Sequence, residues 1–174
     1  MKQNIDAFDL SPVLMKSMKR GVLLTTKAGD RVNTMTIGWG HIGIEWGRPI
    51  FVAYVRESRY TKQMLEQSGE FTVNIPDENT DGHILGFCGT KSGRDVDKIQ
   101  ALGLHLEEPA AVSAPGIREL PLTLECRVLY KQDQDLSAIP DDILARYYPA
   151  DAQGCRDGHT VYYGEILASY RITD

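Results

Sequence analysis

Arg56, Ser58, Arg59 and Thr61 crowd into one short stretch that leads from the apolar run Ile50 to Val55 into a segment, Tyr60 to Gln67, that lacks Gly and Pro. Cations and hydroxyls at a helix start can seat a phosphate dianion, because the first helical N–H groups have no carbonyl partners and the positive dipole end lies there. The same residue types also fit a plainer arrangement, in which Ser58 caps the helix and the arginines lie in solvent. Residue types alone leave both open.

Three further groups could share that chemistry. Asn33, Thr34, Met35, Thr36 and Trp39 crowd a strand end with hydrogen-bonding side chains, a thioether and a large ring, a surface that could hold a flat polar heterocycle by its edge or be an ordinary edge strand. Lys91 and Ser92 lie in Gly89-Thr90-Lys91-Ser92-Gly93-Arg94-Asp95, flexible backbone with cations and hydroxyls that could close over a phosphate or form a solvated turn. His159 opens the last strand, where an imidazole with a pKa near working pH could donate to a bound molecule or simply face solvent.

Other candidates carry less. Glu125 and Glu165 are strand carboxylates that nothing brings within reach of each other, and Cys88 before Gly89 fits a small buried filler better than a reactive thiol. Neither G-x-G-x-x-G nor a Walker loop occurs, and Gly40-His41-Ile42-Gly43 reads as a bend. No metal site is expected.

The elements that must position these residues are mostly strands. Gly21 to Thr26 and Val32 to Ile37 flank a Gly-Asp turn and predict a hairpin, and Ile50 to Val55 reads as a strand covered on both faces. Phe71, Val73 and Ile75 alternate with Thr72 and Asn74. Leu122 to Tyr130 has the clearest alternation and predicts a long antiparallel strand with one wet face; the last strand is expected from Thr160 to Arg171. Helices are expected from Tyr60 to Gln67, after Asn79-Thr80-Asp81 with Gly86 and Gly89 weakening and ending it, and from Asp95 to Leu102, with one more opened by Pro140-Asp141-Asp142 whose last turn Pro149 follows. Strands that outnumber short helices without βαβ alternation favour an antiparallel barrel or sandwich.

The chain has 174 residues, the size of one domain, and residues 1–174 are read as a single unit. Nineteen basic against twenty-four acidic side chains give a net charge of −5 with scattered cations, which argues against nucleic acid as a partner. The N-terminus carries an early acid and no following apolar run, unlike a secretory signal, and no window reaches the ~20 apolar residues of a membrane helix. Cys88, Cys126 and Cys155 are odd in number and widely spaced, so a reducing cytoplasm is expected.

In this order, Gly21 to Thr26, Asn33 to Trp39, Arg56 to Thr61, Ser68 to Ile75, Ser92 to Lys98, Leu124 to Cys126 and His159 to Ile166 resemble the flavin reductase-like family of the FMN-binding split barrel, particularly its flavoredoxin-like branch. The resemblance covers roughly residues 18 to 170 and lies in the ordered set more than in any single motif. It implies a mainly β fold with short helices, a six-stranded antiparallel Greek-key split β-barrel, usually a homodimer, with FMN held noncovalently near the subunit interface. Carried onto this chain, Asn33 through Thr36 and Trp39 would lie along the flavin ring, Arg56, Ser58, Arg59 and Thr61 would surround the phosphate, and Lys91 and Ser92 would close that end. His159 matches a histidine found near the nicotinamide side in some members. Gly38 stands where many relatives carry Ser, which removes one hydroxyl from the flavin's surroundings.

The function implied is an FMN-dependent oxidoreductase, in which NADH or NADPH delivers hydride to flavin N5 and electrons pass on to free flavin or a partner protein. Two alternatives stand beside it: an FMN-containing electron carrier without its own nicotinamide site, and a non-catalytic FMN-binding or structural member.

Overall fold

The computed structural model describes residues 1–173. In chain order the strands and helices are β1 (Lys2–Asn4), α1 (Ser11–Met18), β2 (Val22–Ala28), β3 (Arg31–Ile37), β4 (Gly40–Glu45), β5 (Arg48–Arg56), α2 (Tyr60–Ser68) and β6 (Glu70–Ile75). There follow α3 (Gly82–Thr90), α4 (Lys98–Leu102), β7 (Leu106–Glu107), β8 (Gly116–Ile117), β9 (Leu122–Asp133), a 3-10 turn (Leu136–Ala138), α5 (Asp141–Tyr147) and β10 (His159–Ile172).

The strands form one antiparallel sheet in the order β3-β2-β6-β9-β10-β5-β4, with β1 added to β10 and a separate β7-β8 ribbon. Crossovers that place β6 beside β2 and β10 beside β5 make this a Greek-key path rather than a meander. Among the described residues the sheet has eight strands where the resemblance implied six, one of them the three-residue β1, and its ends β3 and β4 do not pair. The fold is therefore mainly β, antiparallel and split. Helix α1 packs against β2, β4 and β6, and its Leu14 and Met18 join Phe51, Phe71, Leu124 and Tyr162 in the principal core.

Long β9 and β10 bend together through register shifts at Tyr163/Gly164 and Ile166/Ala168. Gly164 is required there, since a Cβ would lie 2.6 Å from the Phe71 ring. The bend wraps the sheet round the aromatic pair Phe51 and Phe71, whose centroids are 6.3 Å apart.

Three expectations are corrected. The wet face of β9 is absent along its first half: Thr123 and Glu125 are fully buried, because the segment before β8 folds over them and the Glu125 carboxylate accepts the N–H groups of Ala110, Ala111 and Val112. Helix α3, capped by Asp81, runs through Gly86 and Gly89 to Thr90. The helix buries Ile84, Leu85 and Cys88 against Leu23, Leu104, Ile117 and Leu120, and that packing outweighs the low helix propensity of its glycines. Helix α4 starts at Lys98, not Asp95, because Ser92 first forms a turn that accepts the N–H groups of Asp95 and Val96, and Asp97 then caps the helix. No described helix is long and apolar enough to cross a membrane.

Candidate functional site

Helix α2 enters from the end of β5 with Arg59 as its extended N-cap and closes on Gly69 in the left-handed conformation. Its start is tied to β3: Asn33 Nδ2 donates to Thr61 Oγ1 at 2.8 Å, and both side chains are buried. The α3–α4 connection is drawn onto the same place. Arg59 donates to the Gly89 carbonyl at 3.1 Å, Arg94 to the Ser58 carbonyl at 3.1 Å, and Arg31 to the Gly93 carbonyl. Gly93 must stay bare, since a Cβ would meet Asn33 Oδ1 at 2.1 Å. Tyr60 lies between the Arg31 and Arg94 guanidinium groups at 4.8 and 5.4 Å.

These contacts enclose a cavity of about 140 Å³. Arg59, Lys91, Arg94 and Lys98 supply four cations to its lining, Ser58, Thr61 and Ser92 three hydroxyls, and no carboxylate lines it. Asn33, Met35, Tyr60 and Gly93 complete the wall. Lys98 is buried, and its ammonium donates to the carbonyls of Thr34 and Cys88 at 2.8 and 2.9 Å. Burial lowers its pKa, Cys88 opposes that shift and the Arg59 charge adds to it. Excess positive charge beside a helix start suits a phosphate dianion.

A second cavity of about 160 Å³ adjoins the first, the two sharing Met35 and Arg59. Thr36, Ile37, Gly38, Trp39, Tyr54, Arg56 and His159 line the rest of it. The His159 ring lies 4.9 Å from Trp39, tilted by 38°, and is met edge-on by Tyr148 at 5.5 Å and Tyr54 at 6.5 Å. Its pKa falls to about 4, chiefly through burial and then through the Arg56 charge, with Asp157 opposing. The expectation of a histidine poised near working pH, or facing solvent, is thereby corrected: this imidazole is buried and neutral at pH 7.

The expected residues thus divide. Asn33, Ser58, Thr61, Lys91 and Ser92 reach the cationic cavity, Thr36, Trp39, Arg56 and His159 the aromatic one, and Met35 and Arg59 both. Arg56, expected with the phosphate group, instead donates to the carbonyls of Asp157 and Tyr147 at 2.7 and 2.8 Å and lies over the Tyr148 ring. Thr34 lines neither cavity; its hydroxyl turns into the sheet and meets the Thr25 hydroxyl at 2.9 Å. Ser58 does not cap α2, since the Asp157 carboxylate binds both its N–H and its hydroxyl.

Arg94 and Lys98 were missed as lining residues, although both stand in the Ser92 to Lys98 segment that carried the resemblance. Tyr54, Tyr148 and Asp157 come from β5 and from the β9–β10 connection, and no spacing in the chain announces their approach to His159. The other singled-out residues are structural. Cys88 is buried with its thiol pKa raised to about 11 by desolvation, and Glu165 pairs with Arg48 and Arg127 at 2.9 and 3.0 Å. Among the described residues no three metal-ligating side chains gather.

An antiparallel split barrel with a cationic, hydroxyl-lined cavity opening beside an aromatic one is the class of protein that the fold and the site define. The chain belongs to the family described as flavin reductase like domain, which residues 15–174 match. An uncharacterized protein from Archaeoglobus fulgidus is 31% identical over 100 residues, 58% of this chain and 55% of its own, so the match spans little more than half of that relative. The structure is similar to flavoredoxin from Methanosarcina acetivorans, with a TM-score of 0.67 and 25% identity over 87% of this chain and 68% of that one. It also shares its fold with an FMN-binding protein from Thermus thermophilus, at a TM-score of 0.63 and 18% identity over 87% of this chain and 69% of that one.

Proposed function

We propose that the chain binds FMN across the two cavities and acts as an oxidoreductase of the flavin reductase and flavoredoxin type, with NADH or NADPH as electron donor. The observation that carries this reading is the join at Met35 and Arg59 between a cavity with four cations and no acid and a cavity walled by aromatic rings. A phosphate fits the first and a flat ring the second. Family membership and the flavoredoxin neighbour support the same reading.

Bound FMN would supply the redox chemistry, taking up hydride from the nicotinamide and passing electrons to free flavin or a partner protein. The chain's own residues bind and orient. Arg59, Lys91 and Lys98 neutralise the phosphate, Thr61 and Ser92 offer hydrogen bonds to it, and Asn33 holds Thr61 in place, while the Ser58 hydroxyl stays with Asp157. Trp39 and Met35 bound the ring space.

A homodimer is part of the proposal. On β5 and β10, half-buried Tyr54 and Tyr163 cover the buried apolar cluster Ile50, Val52 and Val161, and exposed Trp46 and Tyr130 stand beside Tyr163. That surface suits a second copy of the chain.

Absorbance spectra of the purified protein, reconstituted with FMN and then exposed anaerobically to NADH or NADPH, test the reading. Stoichiometric flavin that bleaches is expected. Failure to take up FMN would overturn it; bound FMN bleached by a reduced partner protein but not by either nicotinamide would select the electron-carrier alternative.

A further inference from the structure

His159 ends a hydrogen-bond chain that starts outside the second cavity. Tyr148 Oη donates to Gln134 Oε1 at 2.9 Å, and the same phenol oxygen lies 3.0 Å from His159 Nδ1. A phenol has one hydrogen to donate. With that hydrogen directed at Gln134, the oxygen can only accept from the imidazole, so Nδ1 carries the N–H of this contact. A neutral imidazole has one N–H, which leaves Nε2 with a lone pair.

The surroundings hold both rings of this chain. Trp39 lies against the ring, while Tyr54 and Tyr148 meet it edge-on, so rotation is blocked. Tyr148 is itself held, its ring under the Arg56 guanidinium and its backbone carbonyl bonded to Arg156. Burial keeps the Tyr148 phenol protonated. Among the described residues Nε2 has no hydrogen-bond partner, yet the one buried, unpartnered side-chain atom among them is Tyr170 Oη. Nε2 therefore keeps accessible surface, and His159 lines the second cavity.

We propose that Tyr148 and Gln134 are positioning residues that hold His159 as the Nδ1–H tautomer, so that Nε2 accepts a hydrogen bond from an N–H or O–H donor of a second molecule that meets the flavin ring at the second cavity. Resting on the function proposed above, the donor is the carboxamide NH2 of the nicotinamide. The sequence reading had the histidine donating; the chain through Tyr148 reverses that direction.

The tautomer can be read without any nucleotide, from long-range proton–nitrogen NMR of the full-length protein with labelled histidine at pH 7. His41, His83 and His105 serve as internal reporters of folding. The wild type is expected to show a protonated Nδ1 and an unprotonated Nε2. Tyr148→Phe, which removes the acceptor, shifts His159 toward the Nε2–H form, and Gln134→Leu does so in part because the phenol hydrogen can then turn to Nδ1. Gln134→Glu keeps an acceptor for that hydrogen and retains the wild-type pattern. An Nε2–H or doubly protonated ring in the wild type overturns the proposal, as does a Tyr148→Phe ring identical to the wild type.

In turnover, Tyr148→Phe is expected to raise KM for NADH or NADPH about tenfold, the worth of one hydrogen bond, with a smaller change in kcat. An unchanged KM with a shifted tautomer would overturn the carboxamide contact. A protein with the Nδ1–H ring that takes up no FMN would instead sink the proposed function while leaving the tautomer assignment standing.

Discussion

Asn33 Nδ2 and Thr61 Oγ1 lie 2.8 Å apart, joining β3 to the first turn of α2 across 28 residues of chain. The bond ties the β3 wall of the cationic cavity to the helix start beside it. Thr61→Val keeps the shape but leaves the buried Asn33 amide without that acceptor, a loss of about 1–3 kcal/mol in stability. Urea unfolding of the two proteins measures it, and equal midpoints would show that water replaces the hydroxyl.

Phosphate recognition separates FMN from riboflavin. Arg59→Ala removes a cation that lines both cavities and also releases the Gly89 carbonyl from the α3–α4 connection. FMN affinity is expected to fall about ten- to a hundredfold, the range of a charge-assisted hydrogen bond, with riboflavin affinity much less affected. Flavin fluorescence titrations compare the two ligands, and parallel losses would place Arg59 away from the phosphate.

Glu125 holds the segment before β8 to the sheet through three backbone N–H groups. Glu125→Gln turns one acceptor oxygen into a donor that faces those N–H groups, and about 2–3 kcal/mol of stability is expected to be lost. The site is built from other elements, so FMN stoichiometry is unchanged. Chemical unfolding and a flavin titration on the same sample check both halves.

His159 also makes stability pH-dependent. Its pKa is about 4 in the folded protein against 6.5 for the free side chain, so between those values the unfolded chain binds a proton that the folded one does not. Stability is full above about pH 6.5 and declines as pH falls toward 4, by up to about 3 kcal/mol from this group. His159→Gln should flatten that part of a stability–pH curve measured by urea unfolding, and identical curves would mean that the ring is not buried neutral.

Much of the fold was legible because its signals are local. The Gly-Asp turn between β2 and β3, the left-handed Gly69 after α2 and the acids opening α5 act within a few residues, and each element lies where its residues indicated. The wet face expected of β9 was wrong for a nonlocal reason: Thr123 and Glu125 look solvent-facing by alternation, but residues 108–115 return to cover them. The same held for Ser58, which has the chemistry of a helix cap and the position for one, yet binds an aspartate almost one hundred residues away.

For the site, the amino-acid sequence by itself determined the inventory: phosphate-type cations and hydroxyls at the start of α2, a companion set at Lys91 and Ser92, and a polar strand with a ring at Asn33 to Trp39. Their types and neighbours in the chain sufficed for that, since helix starts and strand ends are short-range features. Only the tertiary structure decided that Arg56 belongs with the aromatic cavity, that Thr34 points away from both, and that His159 is neutral with Tyr148 at its Nδ1. The first and last depend on partners brought by the β9–β10 connection and the second on the β2 hydroxyl of Thr25, and desolvation and hydrogen-bond direction are properties of a packed neighbourhood that no linear spacing encodes.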